Sequence, residues 1–422
     1  METIPFDLIH NWWNGKVKVR KMKPYEDGRG LLGEIIRPDS DSFKNLVNTY
    51  ISETKPFIQR GPHEHNLQDD DFITWNSRMI YEFYDPESKE SKYFITEPKG
   101  IYSLYVEHGI HHGYRNLDAI DTAYTLNSLN RPFKGFGRND EPDEIRHEKK
   151  TVNNKILFIF GAGGRLGKSL TEVAFKQMGE HTYDVIPYFD KLLSIAETEA
   201  FFKALDYALP NRDITFVNCA ALTNTKDSGP LNAEWRWSNV NLPQLFANKC
   251  AERNWKFVQL STDYVYQEVK KGIVNFYVST YTQSKKEMES ILNQTNGIHS
   301  LSTTVLRVSN LFSQAPEDVN VFTRLQKIID EKGGITVDPE LEIAPTDVDK
   351  LSLKIINLFI EGFFIINGIK YVNVISPSYK VDEFVYKFLN TKDKVVACES
   401  GKINPWANSF KNDPYAIKIN LD

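Results

Sequence analysis

The pattern of apolar and polar positions divides the chain into two parts with different periods. Up to about residue 147, short apolar runs alternate with turn signals: "LLGEIIRP", "NTYISET", "RMIYEFYD", "KYFITEP", "IYSLYVEHG" and "DTAYTLNS". Many short strands at such spacing predict an antiparallel β-sandwich or barrel. From Lys155 onward the pattern becomes strand, turn, helix. The run "KILFIF" ends in Gly161, Gly164 and Gly167, and Leu166, Leu170, Val173, Ala174 and Met178 then recur at helical spacing. Further strands are expected at "YDVIPYFD", "ITFVNCAALTN" and "KFVQLSTDYVY", with a helix at "LPQLFANKCAERN". "IINLFIEGFFII" reads as a core helix running into a strand, and "VDEFVYKFLN" and "NDPYAIKINLD" as a closing helix and tail. Strands alternating with helices predict a doubly wound parallel sheet. The polar stretch "EKKTVNN" (Glu148–Asn154) marks the change, giving domains at 1–150 and 151–422.

Composition narrows the classes. A chain of 422 residues with 41% hydrophobic and 25% charged residues has material for two cores. A net charge of −5 argues against nucleic-acid binding, whose footprint would be basic. The start "METIPFDLIHNWWNG" lacks the pattern of a signal peptide, and no run reads as a membrane span. The three cysteines, Cys219, Cys250 and Cys398, lie far apart, which fits a reducing, cytosolic compartment.

The glycine turn carries the first candidate chemistry. Gly161 permits a tight turn, Gly164 lets the backbone approach a pyrophosphate, and the helix N-terminus offers free N–H groups to phosphates. Gly163, Arg165 and Leu166 complete the turn. Asp190, at the end of the second strand, suits ribose hydroxyls and NAD, whereas Lys191 and Arg165 suit a 2′-phosphate and NADPH. Asn218, Ala220 and Ala221 lie in a run of small residues that a cofactor can approach closely. Tyr281 and Lys285, four apart on a helix, share one face. An ammonium beside a phenol lowers its pKa and makes it a usable proton donor to an alkoxide; Thr262, at a strand end, completes the grip on a carbonyl oxygen.

Seven of the nine histidines precede the glycine turn, in "IQRGPHEH" (Arg60, His63, His65) and "EHGIHHGYRN" (His108, His111, His112) among them. Three readings stay open from spacing alone. These are a metal site of His-x-His plus a distant histidine, with Asp69 or Asp70 as carboxylate; acid–base chemistry with an arginine holding phosphate; and structural strand-end histidines.

"YEDGRGLLGEI" (Tyr25–Ile35), "ISETKPFIQRGPHEH" (Ile51–His65) and "GIHHGYRN" (Gly109–Asn116) resemble, in order, the signature blocks of the dTDP-4-dehydrorhamnose 3,5-epimerases. The resemblance implies a cupin-type jelly roll that needs no metal. It makes His63 the catalytic base, Arg29 and Arg60 the diphosphate-binding arginines, and His112 part of the second histidine motif. Two positions depart from the family: aspartates in "QDDDFITW" stand where a lysine is expected, and Phe133 where a tyrosine acid is expected. Losing a donor on one face implies inversion at one carbon, C3, and not at both C3 and C5. Asp143 is the candidate carboxylate to orient His63.

The ordered set of glycine turn, "NCAA", "STDYVY" and Y-x-x-x-K places residues 155–422 in resemblance to the extended short-chain dehydrogenase/reductases. "TTVLRVSNLF" and "APTDVDKL" narrow this to dTDP-4-dehydrorhamnose reductases. That resemblance implies a catalytic trio of Thr262, Tyr281 and Lys285 and NADPH or NADH as cofactor; Arg307 is open to two roles, a substrate contact or a salt-bridged core arginine. The two families act consecutively in L-rhamnose-type sugar synthesis. Together they imply a bifunctional enzyme on a UDP- or dTDP-linked 4-keto-6-deoxyhexose, with or without a 2-acetamido group, and a homodimer. A reductase fused to a metal-binding or non-catalytic sugar-binding cupin is the alternative.

Overall fold

The computed structural model describes residues 6–27, 30–32, 46–131, 144–146, 155–177, 183–224, 229–266, 279–296, 301–313, 321–332, 335–337, 342–364, 366–380, 383, 387, 395–397 and 417–418. The expectations placed on Arg29, Phe133, Asp143, the linker and most of "VDEFVYKFLN" fall outside these residues.

The N-terminal part is antiparallel. Its strands are β1 (Phe6–Trp12), β2 (Val17–Met22), β3 (Tyr25–Asp27), β4 (Gly30–Leu32), β5 (Asn48–Thr54), β6 (Gln59–His65) and β7 (Asp70–Thr74). β8 (Met79–Asp85), β9 (Glu90–Ile95), β10 (Tyr102–Val106), β11 (His111–Asn116), β12 (Ala123–Leu129) and β13 (Glu144–Arg146) follow. One sheet runs β1-β2-β10-β7-β12-β5 and a second β13-β6-β11-β8-β9; β3 and β4 pair as a hairpin. Val17, Val19, Phe72, Leu104 and Val106 from the first sheet and Tyr81, Phe83 and Tyr114 from the second form one buried core. Alternation of side chains along a strand puts these residues on the inner faces.

The C-terminal part is built on a parallel sheet. β14 (Lys155–Phe160), α1 (Arg165–Gln177), β15 (Tyr183–Tyr188), α2 (Ile195–Ala208) and β16 (Asp213–Asn218) come first. A helix then runs from α3 (Ala233–Arg236) through a π-type turn (Trp237–Asn241) into α4 (Leu242–Glu252). β17 (Lys256–Thr262), α5 (Thr280–Asn296), β18 (Ser302–Val308), β19 (Leu311–Phe312), α6 (Val321–Lys332), β20 (Ile335–Val337), β21 (Glu342–Ile343), β22 (Thr346–Asp347) and α7 (Val348–Ile360) follow. β23 (Gly368–Ile375), β24 (Tyr379–Lys380), β25 (Val395–Ala397) and β26 (Ile417–Lys418) are the last elements. The sheet order is β15-β14-β16-β17-β18-β23-β26. Strand order reverses between β14 and β16, which opens a crevice at their carboxyl ends.

Two sequence expectations are corrected. "IINLFIEGFFII" is helical only to Ile360; Glu361–Phe364 form a turn, and the strand begins at Gly368. Glu361 N–H still reaches Asn357 O at 2.9 Å and Phe363 N–H reaches Leu358 O at 2.9 Å. The helix therefore closes on itself before the apolar run is exhausted. The tail "NDPYAIKINLD" is not wholly irregular: Ile417 and Lys418 pair in parallel with Val374 and Ile375.

Contacts divide the chain into two compact units. The first holds Met1–Asn154, Phe175–Tyr183 and Leu192–Arg212, and the second the remainder. Within the first, Phe201 meets Phe57 edge-on at 5.6 Å, and Phe175 stacks on Tyr93 at 4.2 Å.

Candidate active sites

In the first unit the two histidine motifs are neighbouring strands. β6 and β11 pair antiparallel with His63 opposite His112, and the register shifts between His112 and Tyr114. Gly61 lies at φ +76°, and a Cβ there would come within 2.7 Å of the His112 carbonyl. Glycine thus lets the strands close where the histidines meet. The period of two puts His63 and His65 on one face, and His112 joins them from across the ladder. Ring centroids are 4.5 Å apart for His63–His112, 5.1 Å for His63–His65 and 5.7 Å for His65–His112.

Asp70 reaches this cluster from β7 of the opposite sheet. Its Oδ2 is 3.3 Å from His65 Nε2 and 3.4 Å from His112 Nε2. Its Oδ1 accepts hydrogen bonds from Gln68 (3.1 Å) and Asn127 (2.8 Å). His112 Nδ1 lies 2.9 Å from the Ile110 carbonyl, which can only accept, so Nδ1 carries the proton and Nε2 the lone pair. Burial pushes His112 down to about 4, against the Ile110 hydrogen bond that favours its charged form. Burial, reinforced by His112, pushes His65 down to about 3. Both are neutral at pH 7. His63 alone of the three is half-exposed.

The other motif residues go elsewhere. His108 pairs with Asp69 at 2.9 Å and His111 with Glu64 at 2.7 Å. Arg60 is exposed, and its guanidinium donates to the Glu53 carbonyl (2.5 Å from Nη2) and to Thr54 Oγ1 (3.1 Å from Nε). Of the aspartates in "QDDDFITW", Asp70 and Asp71 are buried, and Asp71 accepts from Ser103 at 2.7 Å. Of the two aspartates offered from sequence as the cluster's carboxylate, Asp70 meets the histidines and Asp69 does not. Gln68 was not singled out, because only the sheet-to-sheet packing brings β7 against β6 and β11.

In the second unit β14 ends at the reversal of strand order. Gly161 lies at φ +78°, and a Cβ there would meet Ala220 N at 2.7 Å. The Gly161 and Ala162 N–H groups donate to Tyr188 O at 3.0 and 2.9 Å. A Cβ on Gly167 would come within 2.2 Å of Gly161 O, so the first turn of α1 lies directly on the glycine turn. Gly163 and Gly164 are exposed, while Leu166 is buried and anchors the helix. Arg165 Nη1 donates to the Leu311 carbonyl at 3.0 Å. Asp190 and Lys191 are exposed after β15. Asn218 is buried between strands: it donates to Gln259 at 2.8 Å and accepts the Ala220 N–H at 3.1 Å, shaping the half-buried Ala220–Ala221 turn.

Thr262, Tyr281 and Lys285 converge at the end of β17. Thr262 donates to Asp263 at 3.1 Å and its hydroxyl faces the Tyr281 phenol, lowering its pKa. Lys285 is 2% exposed, its Nζ 2.9 Å from the Leu260 carbonyl and 5.9 Å from the Tyr281 ring centre. Burial lowers Lys285 to about 8, and Glu289 opposes that shift. The expected lowering of Tyr281 by the lysine is not found: burial, with Asp263 and Tyr264 adding to it, drives the phenol above its ordinary value against the Thr262 hydrogen bond. Tyr281 is therefore a protonated phenol at neutral pH, ready to donate. Asp263 beside it is pushed up to about 6 by burial, against hydrogen bonds from Ser309 and Thr262.

Arg307 forms a salt bridge, the second of the two roles open to it from sequence. Its Nε and Nη2 lie 3.0 and 2.6 Å from the two carboxylate oxygens of Glu289, and Nη1 contacts the Tyr266 hydroxyl. Its guanidinium stacks between Tyr371 (4.5 Å) and Tyr266 (4.9 Å).

Residues 154–363 match the family model described as the RmlD substrate binding domain. The chain is 28% identical over 199 residues to the dTDP-4-dehydrorhamnose reductase of Aggregatibacter actinomycetemcomitans, a match covering 44% of this chain and 64% of that protein. It thus spans less than two thirds of that relative's length. A solved dTDP-4-dehydrorhamnose reductase from Bacillus anthracis, in complex with NADP, is similar at 22% identity and TM-score 0.45, covering 58% of this chain and 84% of that one. A dTDP-4-dehydrorhamnose 3,5-epimerase from Sulfolobus tokodaii is similar at 18% identity and TM-score 0.27, covering 34% of this chain and 82% of that one. No helix among the described residues is long and apolar enough to cross a membrane.

Proposed function

We propose that this chain is a bifunctional nucleotide-sugar enzyme: residues 1–150 epimerise, and residues 151–422 reduce, a UDP- or dTDP-linked 4-keto-6-deoxyhexose. The observation that carries the reading is the convergence of Thr262, Tyr281 and Lys285 in a chain that also gathers His63, His65 and His112. His63, the half-exposed histidine, removes the proton at C3, made acidic by the neighbouring C4 ketone; return of a proton to the other face inverts the centre. Arg29 and Arg60 hold the diphosphate, and His112 lines the sugar.

Reduction follows at C4. NADPH, with NADH as the alternative, binds on Gly161, Gly163, Gly164, Arg165, Leu166 and Gly167, with Asp190, Asn218, Ala220 and Ala221 along it. When bound there, the cofactor would supply the hydride. Tyr281 donates its proton to the forming alkoxide, Thr262 holds the oxygen, and the Lys285 ammonium offsets the charge left on the phenolate. The test is incubation with UDP- and dTDP-4-keto-6-deoxyglucose, and their 2-acetamido analogues, plus NADPH, with product stereochemistry read by NMR. A 6-deoxysugar inverted at C3 and reduced at C4, its C5 configuration retained, is expected. Consumption of NADPH with C3 unchanged would leave a reductase alone.

One observation favours a second reading of the first unit. One nitrogen from each of His63, His65 and His112 lies within 4.8 Å of the others, and the buried His112 Nε2 has no hydrogen-bond partner among the described residues. Its Nδ1 proton is held by a backbone carbonyl, the arrangement that presents Nε2 to a metal. These residues would hold a divalent cation, which when bound would supply a Lewis acid. Epimerisation that survives exhaustive chelation, in protein free of stoichiometric metal, excludes this reading.

A further inference from the structure

Glu289 was outside the expected site, yet it touches every strand that bears on it. It sits on α5 one turn beyond Lys285 and two beyond Tyr281, and it is 7% exposed. Its Oε1 accepts from Ser261 at 2.7 Å, the residue just before Thr262 on β17. The same oxygen takes Arg307 Nε from β18, and Oε2 takes Nη2. Tyr371 on β23 donates to the Glu289 backbone carbonyl at 3.3 Å. One buried carboxylate thus ties the helix bearing Tyr281 and Lys285 to the strand bearing Thr262.

We propose that Glu289 is a positioning residue of the reductase site: through Ser261 and Arg307 it fixes α5 against β17, and its charge keeps Lys285 an ammonium beneath Tyr281. The inference rests on the reductase reading of Lys285. A buried ammonium loses its proton readily unless a nearby anion opposes the cost of burial. The Leu260 carbonyl gives Lys285 a dipole but no charge. Around the pair stand Tyr281 and Glu289 on α5, Asp263 and Tyr264 after β17, Arg307 on β18 and Tyr371 on β23, with Tyr266 across the guanidinium. Glu289 is the group whose charge raises Lys285, and Arg307 balances that carboxylate in turn.

The two partners therefore act on Lys285 with opposite sign. Glu289→Gln removes the opposing anion and leaves Arg307 as a nearby cation, so Lys285 loses its proton at lower pH. Arg307→Met leaves Glu289 free to act on Lys285, which then holds its proton to higher pH. The readout is NMR of protein carrying 13Cε-lysine, with the Lys285 signal identified by its absence in Lys285→Arg. This titration needs no turnover. The midpoint is expected to fall by about one pH unit in Glu289→Gln and to rise in Arg307→Met. The alkaline limb of NADPH oxidation should move with each midpoint. If Glu289→Gln does not fold, Glu289→Gln/Arg307→Met removes the pair together and is still expected below wild type. A midpoint that stays at the wild-type value in folded protein overturns the inference. Midpoints that move as stated, in a chain that reduces no 4-keto sugar, overturn the reductase reading instead.

Discussion

At the scale of single residues, the account turns on which groups hold protons. Tyr281, kept protonated by burial, is the donor, so Tyr281→Phe should lower the rate of 4-keto reduction about a hundredfold or more, with NADPH affinity little changed in a fluorescence titration. Reduction should also fall as pH rises through about 8, where Lys285 loses its charge. The two buried histidines predict an acid sensitivity of the first unit. Their folded pKa values lie below the ordinary histidine value of 6.5, so the folded state binds fewer protons than the unfolded chain. Their contribution is complete above that value and is lost as pH falls toward 4. His112 alone is worth on the order of 3 kcal/mol over that range. Thermal melts from pH 7 to 4 should show the loss, and His112→Gln should flatten it. His63, Thr262, Tyr281 and Lys285 were legible from sequence because each sits in a short local motif. Asp70 was legible only as one of two candidate carboxylates, because it meets the histidines across the two sheets; Glu289 was not legible, since it gains its meaning from strands far away in the chain. Arg307 was legible as a charged residue near the site, but its bidentate pairing with Glu289 is a tertiary fact.

At the scale of elements, the strand–glycine–helix unit was readable because its constraints are local. The positive φ of Gly161 and the approach of Ala220 and α1 explain why two of its glycines have no room for a side chain. Gly161→Ala combines left-handed strain with a Cβ 2.7 Å from Ala220 N. It should cost about 1–3 kcal/mol in denaturant unfolding and weaken NADPH binding, whereas Gly163→Ala, whose Cβ would meet Phe189 at an ordinary 3.7 Å, should be close to neutral for stability. The π-type turn at Trp237–Asn241 had no sequence signal. It places Asn239, which bridges Leu222 and Ser284, so its cause is tertiary. The apolar run after Ile360 misled for a related reason: hydrophobicity continues past the helix, but the turn at Glu361–Phe364 ends it, and the strand awaits Gly368.

At the scale of the whole molecule, the change of period near residue 150 announced antiparallel sheets followed by a parallel α/β sheet, and the structure has both. Two chemistries in one chain predict separable defects. His63→Ala should abolish exchange of the C3 hydrogen while sparing reduction of a substrate already epimerised. Tyr281→Phe should do the reverse. The most direct measurement of the central claim runs the wild-type chain on UDP- and dTDP-4-keto-6-deoxyglucose in deuterium oxide with NADPH, and reads the product by NMR. The account predicts an inverted C3 carrying one deuterium, an undeuterated C5, and a C4 hydrogen derived from the cofactor. A product reduced at C4 with no solvent deuterium in the ring, or no product from any such sugar, would contradict it.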